Sequence, residues 1–312
     1  MDIRIHSSAL LACVMLASCA MLRSPPPPEG PPDTDIFLGD ISTIGESLWI
    51  GKMHPIAVDD GYENQPAFTE DGRALIYAAA GPGSKTDVWI RTLSNGETRQ
   101  LTQTAEKSEY SPRLSPDQST LSYIQEDEAG EITVLNALSL ETGEVTQSVD
   151  LKPLGYYAAL RDGQDVLVFL RGETASLVHI DPASGNSRQI AANIGRALYA
   201  APDGNTAFYS VMTDDNNFDL HEYDAATGLT RRLFALPEGV QDYAAFNIAG
   251  TELTAFLAGS QTDIVFRLDH PESSQWVKVA EFSDAQFTNI SRIVVNRTAT
   301  RIALVAEKPI QP

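Results

Sequence analysis

The sequence predicts an all-β chain folded as a six-bladed β-propeller, each blade a four-stranded antiparallel sheet. Three observations predict it. A Ser/Thr-x-Asp-Gly-like turn between apolar strands recurs along the chain, its period is one blade long, and third and fourth strands follow most copies. With the Asp position as marker, the turns fall at Asp71, Asp117, Asp162, Asp203, Ala249 and Thr298, spaced by 46, 45, 41, 46 and 49 residues. Four strands in about 40–50 residues make one propeller blade.

Each element follows from local chemistry. The first hairpin reads Gln65-Pro66-Ala67-Phe68-Thr69-Glu70-Asp71-Gly72-Arg73-Ala74-Leu75-Ile76-Tyr77. Asp-Gly supplies the positive φ of a tight turn, and the alternating apolar residues supply half-buried strands. Third strands open with Asp at Asp87, Asp219 and Asp263. Second turns follow at Asn95-Gly96, Thr142-Gly143, Ser184-Gly185 and Thr227-Gly228, and fourth strands begin at Thr98, Ser187 and Thr230. The sixth unit runs out after two strands near the C-terminus. Asp35–Ile41 matches a third strand and Trp49–Ile56 can serve as a fourth, so the N-terminal strands are expected to close the last blade. Closure would remove exposed sheet edges.

The string Asn64-x-Pro66-x-Phe68-Thr69-x-Asp71-Gly72, with its Asp-led third strand and the Gly96 turn into Leu101-Thr102, resembles the TolB-like, WD-like propeller repeat. The resemblance covers about 275 residues, is strongest in the first two units and is eroded at Ala249 and Thr298. It implies a propeller. TolB carries an α/β domain before its propeller, and residues 19–34 are too few to hold one, so the specific partners of TolB are not carried over.

Before the repeats, Arg4 precedes the apolar stretch Ala9–Leu16, too short for the roughly 20 residues of a membrane-spanning helix. It reads as a signal peptide. Leu16-Ala17-Ser18-Cys19 resembles the bacterial lipobox, which makes Cys19 the expected lipidation site. The run from Ser24 to Pro32, rich in proline, should extend as polyproline II. Residues 1–18 are thus read as a lipoprotein signal peptide, 19–34 as anchor and linker, and 35–312 as propeller. Ala20 after the cysteine points to the periplasmic face of the outer membrane by resemblance to enterobacterial sorting.

The 312 residues carry 22 Lys and Arg against 42 Asp and Glu, a net charge of −20. Such a surface repels phosphate backbones, so no nucleic-acid partner is expected. On the assumed topology the acidity is shared by both rims. No Gly-x-Ser-x-Gly elbow of the prolyl oligopeptidase type occurs. Histidines are scattered without metal-binding spacing, and no cofactor is expected. Asp215, Asn217 and Asp219 open like a calcium loop, but Leu220 stands where glycine is needed and Ala226 where the closing Glu belongs, so a self-bonded hairpin explains them better.

Six of ten tyrosines, Tyr62, Tyr110, Tyr156, Tyr157, Tyr199 and Tyr243, fall at or just before an innermost strand. Such segments converge on the mouth of the central channel, where a phenol offers a flat apolar face and a hydroxyl; packing between blades is the competing explanation. Glu109, Asp242 and Arg292 lie in the same register. Glu109, Tyr110, Tyr156, Tyr199, Asp242, Tyr243 and Arg292 are therefore the candidate binding residues. The expected function is that of a monomeric, membrane-tethered, non-catalytic protein recruiting an envelope protein or peptide through a propeller face. The alternative is a channel-mouth binder or enzyme acting on a glycan, peptide or other small ligand.

Overall fold

The computed structural model describes residues 33–307 other than 46, 57–60, 82–83, 150, 215, 271, 274 and 284–285. All its extended elements are strands, and apart from one three-residue 3-10 turn at Arg161–Gly163 no helix is present among the described residues. The N-terminal strands are β1 (Thr34–Ile44), β2 (Ser47–Ile50) and β3 (His54–Pro55). A first four-stranded unit follows in β4 to β7 (Tyr62–Phe68, Ala74–Ala80, Asp87–Thr92, Thr98–Gln100). The second is β8 to β11 (Ser108–Leu114, Thr120–Glu126, Thr133–Ser139, Val145–Val149) and the third β12 to β15 (Leu154–Leu160, Asp165–Leu170, Ser176–Ile180, Ser187–Ala192). The fourth is β16 to β19 (Ile194–Ala200, Thr206–Asp214, Asn217–Asp224, Thr230–Ala235) and the fifth β20 to β23 (Tyr243–Asn247, Thr254–Ser260, Asp263–Leu268, Val277–Glu281). Finally come β24 (Thr288–Val295) and β25 (Arg301–Glu307).

Units two to five are separate antiparallel sheets in sequential strand order. At the chain ends β1 runs antiparallel to β25 over seven residue pairs, Thr34↔Glu307 to Asp40↔Arg301, while β25 also pairs with β24. The expected single fourth strand over Trp49–Ile56 is instead two short pieces, β2 and β3, both on β1. A second departure is that these strands and the first unit form one nine-stranded sheet rather than two. A single parallel pair, Thr34↔Tyr62, makes that join.

The turns owe their shape to side-chain acceptors. Asp71 Oδ1 accepts from Thr69 Oγ1 at 2.7 Å and from the Arg73 amide at 3.0 Å. Asp117 repeats this with Ser115 and Ser119. Where Thr298 replaces Asp, Asn296 takes over, its Oδ1 accepting from the amides of Thr300 and Arg301, both at 2.9 Å. The second turns use glycine at φ 71 to 75° at Gly96, Gly143, Gly185 and Gly228, a conformation that a Cβ disfavours.

Apolar clusters join each unit to the next. Ile76 and Val88 meet Leu121 and Tyr123; Ile124 and Leu135 meet Val166 and Val168. Leu167 and Leu177 meet Tyr209 and Tyr223; Phe208 and Phe234 meet Phe256. Phe246 and Leu257 then meet Ile293, Leu304 and Phe37. Ile36, Ala303 and Val305 pack on Leu75 and Tyr77 of the first unit.

Two substitutions check this packing. Phe256, fully buried with its ring 5.0 Å from Phe208 and 5.3 Å from Phe234, should cost about 3–5 kcal/mol on truncation to Ala. Ile36→Ala should cost a comparable 2–5 kcal/mol in urea unfolding, because β1 is part of the core. A loss well below 1 kcal/mol would mean that β1 is a dispensable addition.

Candidate functional site

The first strand of each unit, together with β24, contributes to the lining of one shared cavity. Five of these six strands carry a register shift, at Asn64/Ala67, Tyr110/Arg113, Leu154/Tyr156, Ile194/Leu198 and Thr288/Arg292. The shifts add one residue on β4, β8 and β12 and two on β16 and β24, which bends each strand and re-aims its side chains. Gln65, Ser111 and Asn289 hold φ of 54, 53 and 49° there, and the Ser111 amide donates to Gln65 Oε1, tying neighbouring bulges together.

These strands enclose a narrow axial cavity of about 60 Å³, to which all six contribute lining residues or the residue just before the strand. Above it opens a wider mouth of about 880 Å³ bounded by the segments 237–242, 259–261 and 289–292. Arg196, Asp242 and Arg292 belong to both. They form a knot at the floor of the mouth. Asp242 accepts from Arg196 Nε at 2.6 Å on one oxygen and from Arg292 Nη1 at 3.3 Å on the other. Arg292 Nε donates to Asn64 Oδ1 at 2.7 Å and Nη2 to the Tyr156 hydroxyl at 3.1 Å, with the guanidinium 5.3 Å from the Tyr156 ring centre. Arg196 also donates to the Ser291 carbonyl. Burial opposes the charge on Arg292, but Asp242 and the surrounding phenols outweigh it and hold the pKa above the ordinary arginine value.

Below the knot lies Arg113. Its Nη1 donates to the Pro112 carbonyl at 2.8 Å, and among the described residues no carboxylate forms an ion pair with it. It reaches solvent within the cavity, yet surrounding protein crowds it and lowers its pKa. Tyr199, beside it, is pushed up to about 12 by burial, against the pull of Arg113. The inner cavity thus sets three guanidinium groups against one carboxylate.

Of the sequence-predicted residues, the structure brings Tyr156, Tyr199, Asp242, Tyr243 and Arg292 to the cavity lining. Tyr243 is 3% exposed and donates to the Ala197 carbonyl, and Tyr157 likewise donates to Ser122, so these two rings pack between neighbouring sheets. Tyr110 and Glu109 line neither cavity; Tyr110 stacks edge-on with Tyr62. Glu109 is fully buried and accepts from Thr102, Thr104 and Gln125. Desolvation pushes its carboxyl up to about 7 despite those hydrogen bonds, with Asp87 adding to the rise. Sequence reasoning missed Arg113 and Arg196. The available signal was a charge at 113, where the first repeat has Ala67.

Cys19 and Asp215 lie outside the described residues. Asp219 accepts from Arg232 at 2.6 and 2.8 Å, and Asn217 bonds Asp214, so both are engaged within their hairpin and the strand beside it. Asp165, His179 and Tyr223 form a second polar cluster between units three and four, with His179 Nδ1 2.6 Å from the Tyr223 hydroxyl and Nε2 2.9 Å from Asp165. It lines neither cavity.

No protein-family model matches the chain, and no curated protein does. Solved structures do. A TolB from Agrobacterium tumefaciens superposes with TM-score 0.64 at 12% identity, over 90% of this chain and 100% of that one. TolB from Acinetobacter baumannii gives 0.57 at 13%, over 88% of this chain, which spans 64% of that protein's length. The fold is therefore the TolB-like β-propeller. An oligogalacturonate lyase from Vibrio parahaemolyticus also matches, at TM-score 0.52 and 17% identity, over 86% of this chain and 77% of that one. That likeness corrects the expectation that the chain is not an enzyme: proteins of this architecture include enzymes, and the fold alone does not fix enzymatic status.

The raised Glu109 carboxyl makes a pH prediction. Its folded value lies above the unfolded one near 4.3, so the folded state holds a proton that the unfolded state has released. Stability should therefore fall as pH rises from about 4.3 to about 7 and then level off. Glu109→Gln should flatten that segment of a Tm-against-pH curve and raise Tm at pH 8; an unchanged slope would contradict the assignment.

Proposed function

We propose that this chain is a six-bladed propeller, its last blade completed by the N-terminal strands, carried on a lipid anchor at Cys19 in the bacterial envelope. In this reading it recruits a peptide or protein segment at the mouth of its axial channel. Support for the ring comes from six apolar clusters that lead from unit to unit and back to the first. The observation that carries the binding reading is the Arg196–Asp242–Arg292 knot at the base of an 880 Å³ concavity. Ordered polar groups at the floor of a concave opening are what recognition requires, because they orient a ligand whose body the walls desolvate. Loops from several strand ends meet around that opening, so its shape is set by a rigid scaffold.

Two experiments test this. Blocking signal processing with globomycin, or Cys19→Ala, should leave an unprocessed or unlipidated chain that no longer partitions with membranes; unchanged partitioning would refute the anchor. For the mouth, Glu238→Trp with Gln241→Trp should fill the opening without touching the core. Cross-linking in envelope extract should then lose the partner bands seen with the unaltered chain, and equal recovery would contradict the mouth as the binding surface.

A further inference from the structure

We propose that the inner cavity is a carboxylate site that takes the C-terminal end of a neutral or basic polypeptide segment entering through the mouth. The inference rests on the mouth being the binding surface and names the chemistry recognised there. In a chain of net charge −20, three guanidinium groups converge on a cavity whose lining holds a single carboxylate, Asp242. Asp242 is already divided between Arg196 and Arg292. Arg113 lines the cavity, is solvent-exposed and has no carboxylate partner among the described residues, so its guanidinium is open to an incoming anion. The Tyr199 hydroxyl adds a neutral donor to the same cavity lining as Arg113.

Size and charge select the ligand. The inner cavity, about 60 Å³, admits a terminal group and not a chain passing through. The mouth above it is lined by Glu238, Asp263 and Glu307 as well as Asp242. A polyanion would meet that acidic lining before reaching Arg113. A segment with one terminal carboxylate and a neutral or basic body meets acid outside and base within, the order of its own charges.

The test is calorimetric titration of the full chain with acetyl-Lys-Ala-Ala-Ala as the free acid and as its C-terminal amide. The free acid should bind about tenfold or more tightly than the amide, the worth of a charge-assisted hydrogen bond, and added salt should weaken it. Arg113→Met should abolish the preference while leaving Tm unchanged, because the side chain is exposed and its one hydrogen bond is to the neighbouring Pro112 carbonyl. That second readout separates lost recognition from lost folding. Equal binding of acid and amide, no binding of either at millimolar concentration, or a preference retained in Arg113→Met would overturn the proposal. So would tighter binding of trigalacturonate, which would assign the site to a polyuronate. If acid and amide bind alike but the mouth-filled Glu238→Trp/Gln241→Trp chain binds neither, the carboxylate inference fails and the mouth reading stands. If the mouth-filled chain binds both as before, the mouth reading fails as well.

Discussion

The seven-pair ladder between β1 and β25 is the interaction on which the rest depends, because it brings the two ends of the described chain into one sheet. Its first residue reaches the site directly. Thr34 pairs with Tyr62, its amide donates to the Gly61 carbonyl and its hydroxyl to the Glu63 carbonyl. Asn64 donates to that same hydroxyl and holds Arg292 at 2.7 Å, and Arg292 in turn meets Asp242. A non-local strand pairing and the floor of the mouth are therefore parts of one hydrogen-bonded chain. Loosening the former should loosen the latter.

The bulges on the inner strands turn a structural repeat into a site. Side chains on a strand alternate with a period of two, so one inserted residue reverses every face that follows. Glu109 and Arg113 would share a face on a regular strand. With the irregularity between Tyr110 and Arg113, Glu109 turns into the core and Arg113 lines the channel. Glu109 then carries a raised carboxyl pKa because burial penalises its charge, while Arg113 stays in reach of solvent. Holding such a buried acid costs stability, which a surrounding core of large apolar clusters offsets.

Much of the architecture was legible in the sequence because turn chemistry and strand alternation are local. Asp71-Gly72, Asp203-Gly204 and the second-turn glycines announce hairpins without reference to the rest of the chain. The join of the first and last units at Thr34↔Tyr62 was not legible, since one parallel pair between distant residues leaves no periodic trace. Nor was the division of the fourth strand into β2 and β3. At the site, Tyr156, Asp242 and Arg292 were legible from their place on or just before inner strands, whereas Arg113 and Arg196 were not, although all but Asp242 stand at or within a register shift. Tyr243 was placed on the right strand, but its ring fills the space between sheets, a matter of packing that alternation does not decide.

The account stands on the axial cavity being a basic pocket inside an acidic protein. The most direct measurement is anomalous diffraction from a crystal soaked in bromide. An anomalous peak between Arg113 and Tyr199 is the predicted result. Bromide at surface positions with none in the channel, or an acidic side chain of the chain itself folded over Arg113, would contradict it.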